Sequence, residues 1–240
     1  LDLGSYGEQE IIHLAMTPLH NIEKMHIKFR CHFPDDRIYA GTLSEAFFEN
    51  MGRNWSNLKE LMICHKRVLI NNALEHLEKL QKLTFDLTGL DFYFHHNSIT
   101  YPHMTSLNFL QADQISNLQD LLKKLPNLKE LSLNHCSFPR SNIFYSDTLL
   151  EALAKMEFLE MLHIGFKIMS AKAIASENEI MMLKQLCSKL KKFSISFHEN
   201  SENLAFNNHL YEELKDWNVE ILKIQSIHNE PTLVLQKNMY

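Results

Sequence analysis

Apolar residues return along this chain at offsets 0, +3 and +5, and the frame recurs through most of its 240 residues. In the stretch Leu128 to Cys136, Leu128, Leu131 and Leu133 hold the three offsets and Cys136 stands at +8. The other frames are Ile22, Met25, Ile27; Leu58, Leu61, Ile63; Leu80, Leu83, Phe85; and Met104, Leu107, Phe109. Leu159, Leu162, Ile164; Leu190, Phe193, Ile195; and Val219, Leu222, Ile224 complete the series. Alternation at +3 and +5 buries one side of a short strand and turns +2, +4 and +6 the other way. Successive first positions lie 36, 22, 24, 24, 31, 31 and 29 residues apart. A unit of this size cannot bury its own apolar face, so the units must stack. The alternative is a set of ordinary amphipathic strands in a doubly wound α/β sheet.

The return segments read mostly as helices. Thr42 and Glu45 form a capping box before Ala46, Phe47 and Phe48. Leu69 to Leu80 and Ala112 to Leu125 carry leucines at helical spacing, and Pro126 ends the second. Ser146-Asp-Thr opens a helix that buries Leu149, Leu150, Leu153 and Met156. Ala171 to Leu190 turns Ile180, Met181, Leu183, Leu186 and Leu190 inward, and Leu204 to Trp217 is the last helix.

Two segments break the rhythm. Arg30 to Gly41 lengthens the first step, and Thr88 to His103 is read as an irregular loop with turn signals at Asn97-Ser98 and Pro102. Its aromatic residues either pin that loop to the stack or serve as contacts. Pro231 to Leu235 is expected to add a strand that covers the terminal edge. Leu1-Asp-Leu3 looks like the end of a repeat strand, and Leu1 stands where an initiator Met would. Residues 1–240 are therefore read as one domain, the C-terminal part of a longer protein.

Composition narrows the function. A net charge of −5 and the lack of a basic stripe give no nucleic-acid signature. No apolar run is long enough for a membrane span. Cys31, Cys64, Cys136 and Cys187 are scattered, without the clustered cysteine caps of secreted repeat proteins, so a cytoplasmic or nuclear setting is expected. The sequon Asn54-Trp-Ser56 carries little weight.

Signatures of chemistry are few. No glycine-rich phosphate loop, Gly-x-Ser-x-Gly or His-Glu-x-x-His occurs. His65 and His135 share a column but stand three repeats apart, about 14 Å at ~4.8 Å per strand, too far to share one metal. Cys64 and His65 are neighbours on one strand and point to opposite faces, which defeats that Cys–His pair. No enzyme, metal or cofactor is expected.

What remains is the outward face of the sheet. Position +2 supplies Lys24, Glu60, Lys82, Ser106, Glu130, Met161 and Lys192. Position +4 supplies His26, Met62, Thr84, Asn108, Ser132, His163 and Ser194, and +6 supplies Lys28, Cys64, Asp86, Leu110 and Asn134. The eighth frame adds Ile221, Lys223 and Gln225. Mixed chemistry on a curved sheet suits a protein partner.

These frames with helical returns resemble the ribonuclease-inhibitor-like class of leucine-rich repeats over roughly residues 20–226. That resemblance implies an α/β solenoid of about eight irregular repeats, with a parallel sheet on the concave side and mostly helices on the convex side. The +8 position matches only at Cys136; elsewhere it holds Arg30, Lys66, Thr88, Ala112, Lys167, His198 and Ile227. Such irregularity is similar to the repeat regions of F-box substrate receptors and of NOD-like immune receptors. The first likeness implies substrate recognition in a ubiquitin ligase, with a Skp1-type adaptor bound through a segment upstream of Leu1. The second implies ligand sensing or autoinhibition.

Overall fold

The computed structural model describes residues 2–6, 13–29, 45–64, 68–70, 73–94, 99–116, 118–136, 147–166, 177–197, 223–227 and 230–236. Its strands are β1 (Asp2–Tyr6), β2 (Lys24–Phe29), β3 (Glu60–Cys64), β4 (Val68–Ile70), β5 (Lys82–Phe94) and β6 (Ser106–Ser116). They continue with β7 (Glu130–Cys136), β8 (Met161–Phe166), β9 (Lys192–Phe197), β10 (Lys223–Ile227) and β11 (Glu230–Gln236). The helices are α1 (Glu45–Asn54), α2 (Leu118–Leu122), α3 (Asp147–Ala154) and α4 (Glu177–Lys189), with a 3-10 turn at Ala73–His76. One sheet runs in the order β1-β2-β3-β5-β6-β7-β8-β9-β11-β10, with β4 beside β5. Every pair from β1 to β9 is parallel and in chain order. This is a curved α/β leucine-rich-repeat solenoid.

The apolar frame forms the core. Leu58, Leu80, Met104, Leu128, Leu159 and Leu190 are buried at the first position. At +3 the buried row runs Met25, Leu61, Leu83, Leu107, Leu131, Leu162, Phe193, and at +5 Ile27, Ile63, Phe85, Phe109, Leu133, Ile164. Phe85 and Phe109 stack across β5 and β6 with ring centroids 5.4 Å apart. Fully burying each such side chain contributes about 1.5–3 kcal/mol, and only adjacent repeats supply the cover.

Two backbone devices repeat with the frame. The first-position amide donates to the carbonyl three residues earlier: Ile22 to Leu19, Leu58 to Trp55, Leu80 to Leu77, Met104 to Tyr101 and Leu128 to Leu125. Each bond closes a turn before its strand, and Trp55, Leu77, Tyr101 and Leu125 are themselves buried. The carbonyl at +1 of each repeat then accepts two amides from the next. Glu23 takes those of Lys59 and Glu60, Lys59 those of Gln81 and Lys82, and Gln81 those of Thr105 and Ser106. The series continues through Thr105, Lys129 and Glu160 to Lys192. Because every amide entering the strand is satisfied by the repeat before it, register passes from strand to strand.

Several expectations need correction. Residues 88–94 are strand rather than irregular loop: Phe92, Tyr93 and Phe94 favour extended backbone and pair with β4 and β6. For the same reason β6 stays extended to Ser116, and the helix expected from Ala112 to Leu125 shrinks to Leu118–Leu122. The helix expected over 69–80 is replaced by β4 and the 3-10 turn. That repeat is the shortest, and a 3-10 turn covers about 2.0 Å per residue against 1.5 Å for an α-helix. Met181 is 61 % exposed, one residue off the stripe of Ile180, Leu183 and Leu186.

The eighth strand departs most. β10 carries Ile224, but β11 lies between it and β9, antiparallel to both. Two residues separate β10 from β11 in the sequence, their antiparallel pairing starts at Ile227 and Glu230, and the other edge of β11 pairs with β9. The terminal strand therefore forms as expected but is inserted rather than added at the edge. The segments 30–41 and 204–217, Thr42, Val219, Leu222, and residues 95–98 lie outside the described residues.

Candidate functional face

The parallel register brings the outward residues into two unbroken columns. One runs Lys24, Glu60, Lys82, Ser106, Glu130, Met161, Lys192, and the other His26, Met62, Thr84, Asn108, Ser132, His163, Ser194. Beyond β9 they continue at the register positions of Gln236 and Val234, with Lys223 one strand further out, and Ile221 lies outside the described residues. The +6 column holds from Lys28 through Cys64 to Asp86 and then breaks. An extra residue in β6 sets Gln111, not Leu110, opposite Asp86, so Leu110 leaves the expected row. A second irregularity between Leu133 and Cys136 takes Asn134 out of line with β8.

Side-chain contacts across and along the strands organise this face. Lys24 Nζ lies 2.6 Å from Glu60 Oε1. Ser106 Oγ donates to Glu130 Oε2 at 3.0 Å, and Asn108 Nδ2 donates to Ser106 Oγ at 3.1 Å. Asn134 Nδ2 donates to Ser132 Oγ at 3.1 Å. His163 Nδ1 is hydrogen-bonded to Ser194 Oγ. His26 Nε2 and Cys64 Sγ meet at 3.2 Å across β2 and β3. Ser106, Asn108 and Ser194 are buried although they stand in the outward columns, while Met161 is 38 % exposed.

Sequence adjacency points from Cys64 to His65, whereas the structure sets Cys64 against His26 of the neighbouring strand. The +4 and +6 columns carried the signal, because parallel register makes +4 of one strand a diagonal neighbour of +6 on the next. Among the described residues no group of three or more His, Cys, Asp or Glu side chains gathers as metal ligands. No described helix is long and apolar enough to cross a membrane. Two carboxylates lie at the rim where the strands begin: Glu23 and Glu160 are held below the ordinary carboxylate range, first by hydrogen bonds from Lys59 and Lys191.

Sheet register, buried frame and open columns together define a leucine-rich-repeat solenoid. No protein-family model matches the chain, and no curated protein matches it. Among solved structures it is similar to an internalin from Listeria monocytogenes, at 12 % identity over 76 % of this chain and 51 % of that one, with a TM-score of 0.38. It is also similar to a tropomodulin C-terminal domain from Caenorhabditis elegans, at 11 % identity over 86 % of this chain and 95 % of that one, with a TM-score of 0.37. The chain thus spans about half of the internalin.

Proposed function

We propose that this protein is a non-catalytic recognition module whose open sheet face binds another protein. The observation that carries the reading is the pair of unbroken columns from β2 to β9, which present acidic, basic, polar and apolar side chains on one continuous surface. The partner-contacting set is Lys24, His26, Glu60, Met62, Cys64, Lys82, Thr84, Asp86, Asn108, Leu110, Glu130, Ser132, Asn134, Met161, His163 and Lys192. The irregular repeat lengths support a finer reading, substrate recognition in an F-box-type ubiquitin ligase of the cytoplasm or nucleus. In that reading a Skp1-type adaptor binds through a segment upstream of Leu1.

Exposed positions give the cleanest test, because their removal leaves the buried polar bonds intact. Lys24→Ala, Met161→Arg and Lys192→Glu together are expected to abolish partner binding with little change in melting temperature. Retained affinity would move the site off this face. Capture of Skp1 by the full-length protein supports the F-box reading, whereas nucleotide binding in its place supports a NOD-like receptor.

A further inference from the structure

The His26–Cys64 contact has the makings of more than a recognition surface. Parallel register sets Lys28 opposite Cys64, so His26, two residues earlier on β2, reaches diagonally across to the sulfur. The 3.2 Å separation lies within hydrogen-bond reach for sulfur, and either the thiol donates to a neutral imidazole or the imidazolium donates to a thiolate. Both side chains are half-buried, so water and a small reagent still reach them. The charged residues around the pair come from four strands. β2 gives Lys28 beside Cys64, and Lys24, which is paired with Glu60 of β3. β5 gives Asp86 on the other side of Cys64, and Lys82 opposite Glu60. On β1, Asp2 occupies the register position beside His26. Lys28 and a protonated His26 favour the thiolate, while Asp86 opposes it. His26 is in direct contact with the sulfur.

We propose that Cys64 and His26 form a thiolate–imidazolium pair, and that Cys64 is a site of reversible modification by small-molecule disulfides. His26 Nε2 takes the thiol proton, and the Cys64 thiolate attacks one sulfur of the disulfide. A new bond forms from Cys64 Sγ as the original S–S bond breaks. Cys64 is oxidised to a mixed disulfide, the departing half is reduced, and it leaves as a thiolate that takes the proton from His26. Excess thiol reverses the step. The adduct would stand between Lys28 and Asp86, on the face assigned above to a protein partner, although its formation does not depend on that assignment.

The reagent for the test is oxidised glutathione, with the Cys64 peptide followed by mass spectrometry from pH 5.5 to 9.5. An ordinary thiol titrates near ~8.5 and is about 1 % thiolate at pH ~6.5. Lowering its pKa to ~7 raises the thiolate fraction some 24-fold and reduces nucleophilicity about fivefold, a net gain of about fivefold. His26→Gln is therefore expected to slow modification about fivefold at pH ~6.5 and to speed it at high pH, so that the two profiles cross. Parallel profiles with a common midpoint near ~8.5 would overturn the proposal. A misfolded variant would instead react faster at every pH. Thiolate ultraviolet absorbance, taken as wild type minus Cys64→Ser, then decides: a midpoint below ~8 supports the pair and one near ~8.5 refutes it.

Discussion

Helix α1 passes so close to the next repeat that a β-carbon on Gly52 would lie 1.9 Å from the carbonyl oxygen of His76. The obstacle is backbone, in the 3-10 turn that replaces a full helix in the shortest repeat, so no side chain can swing aside. Gly52→Ala is expected to force the two return segments apart and cost about 1–3 kcal/mol. Urea denaturation of the variant checks this, and an unchanged midpoint would mean that the contact is loose.

Leu131, 1 % exposed at the centre of the sheet, is covered by frames on both sides. Leu131→Ala should cost about 2–5 kcal/mol through the lost side chain and the cavity left behind. Leu131→Asp should unfold several repeats together, since an unpaired charge cannot be accommodated there. Hydrogen exchange read repeat by repeat distinguishes this from a local defect. Protection lost only in β7 would speak against a cooperative stack.

Asn108 is 7 % exposed, yet it sits on the open face and donates to Ser106, which donates in turn to Glu130. Removing it breaks a chain of shielded polar bonds. Asn108→Ala should cost about 1–2 kcal/mol, whereas Lys192→Ala in an exposed row should stay within about 0.5 kcal/mol. Chemical denaturation of the two variants side by side supplies the comparison.

The rim carboxylates predict a direction with pH. Glu23 and Glu160 have folded pKa values below the ordinary one, because Lys59 and Lys191 favour the ionised form. Their contribution to stability is therefore fully present above the unfolded value of roughly 4.3, and is lost as pH falls through the lower folded value. Glu160→Gln should narrow the stability difference between pH ~7 and pH ~3, most visibly at low salt. An identical acid loss in wild type and variant would contradict this assignment.

The repeat itself was legible from residue spacing, because a buried row at +3 and +5 leaves the same apolar signature whatever the return segment does. Spacing misled in the returns. Leu77 and Leu125 read as helix residues, but they occupy the turn three positions before the frame, as Trp55 and Tyr101 also do. Apolar periodicity cannot separate such a turn from a helix end when only a few residues are available. On the face, columns +2 and +4 followed directly from the frame. The break at Leu110 did not, since a single extra residue in β6 alters pairing without altering composition. The insertion of β11 was hidden for a different reason: whether a strand adds outside its predecessor or slips inside it depends on hairpin geometry, not on which residues are apolar.

That insertion bears on how the chain assembles as it is made. Apart from β4, which pairs only with the later β5, strands β2 to β9 can each dock on one already in place, so this part of the sheet can grow in step with translation. Lys223–Ile227 has no such partner among the described residues, because β11 alone joins it to the sheet. It must wait for residues that leave the ribosome after it, and its joining to the sheet is therefore a concerted hairpin-docking event rather than one more sequential addition.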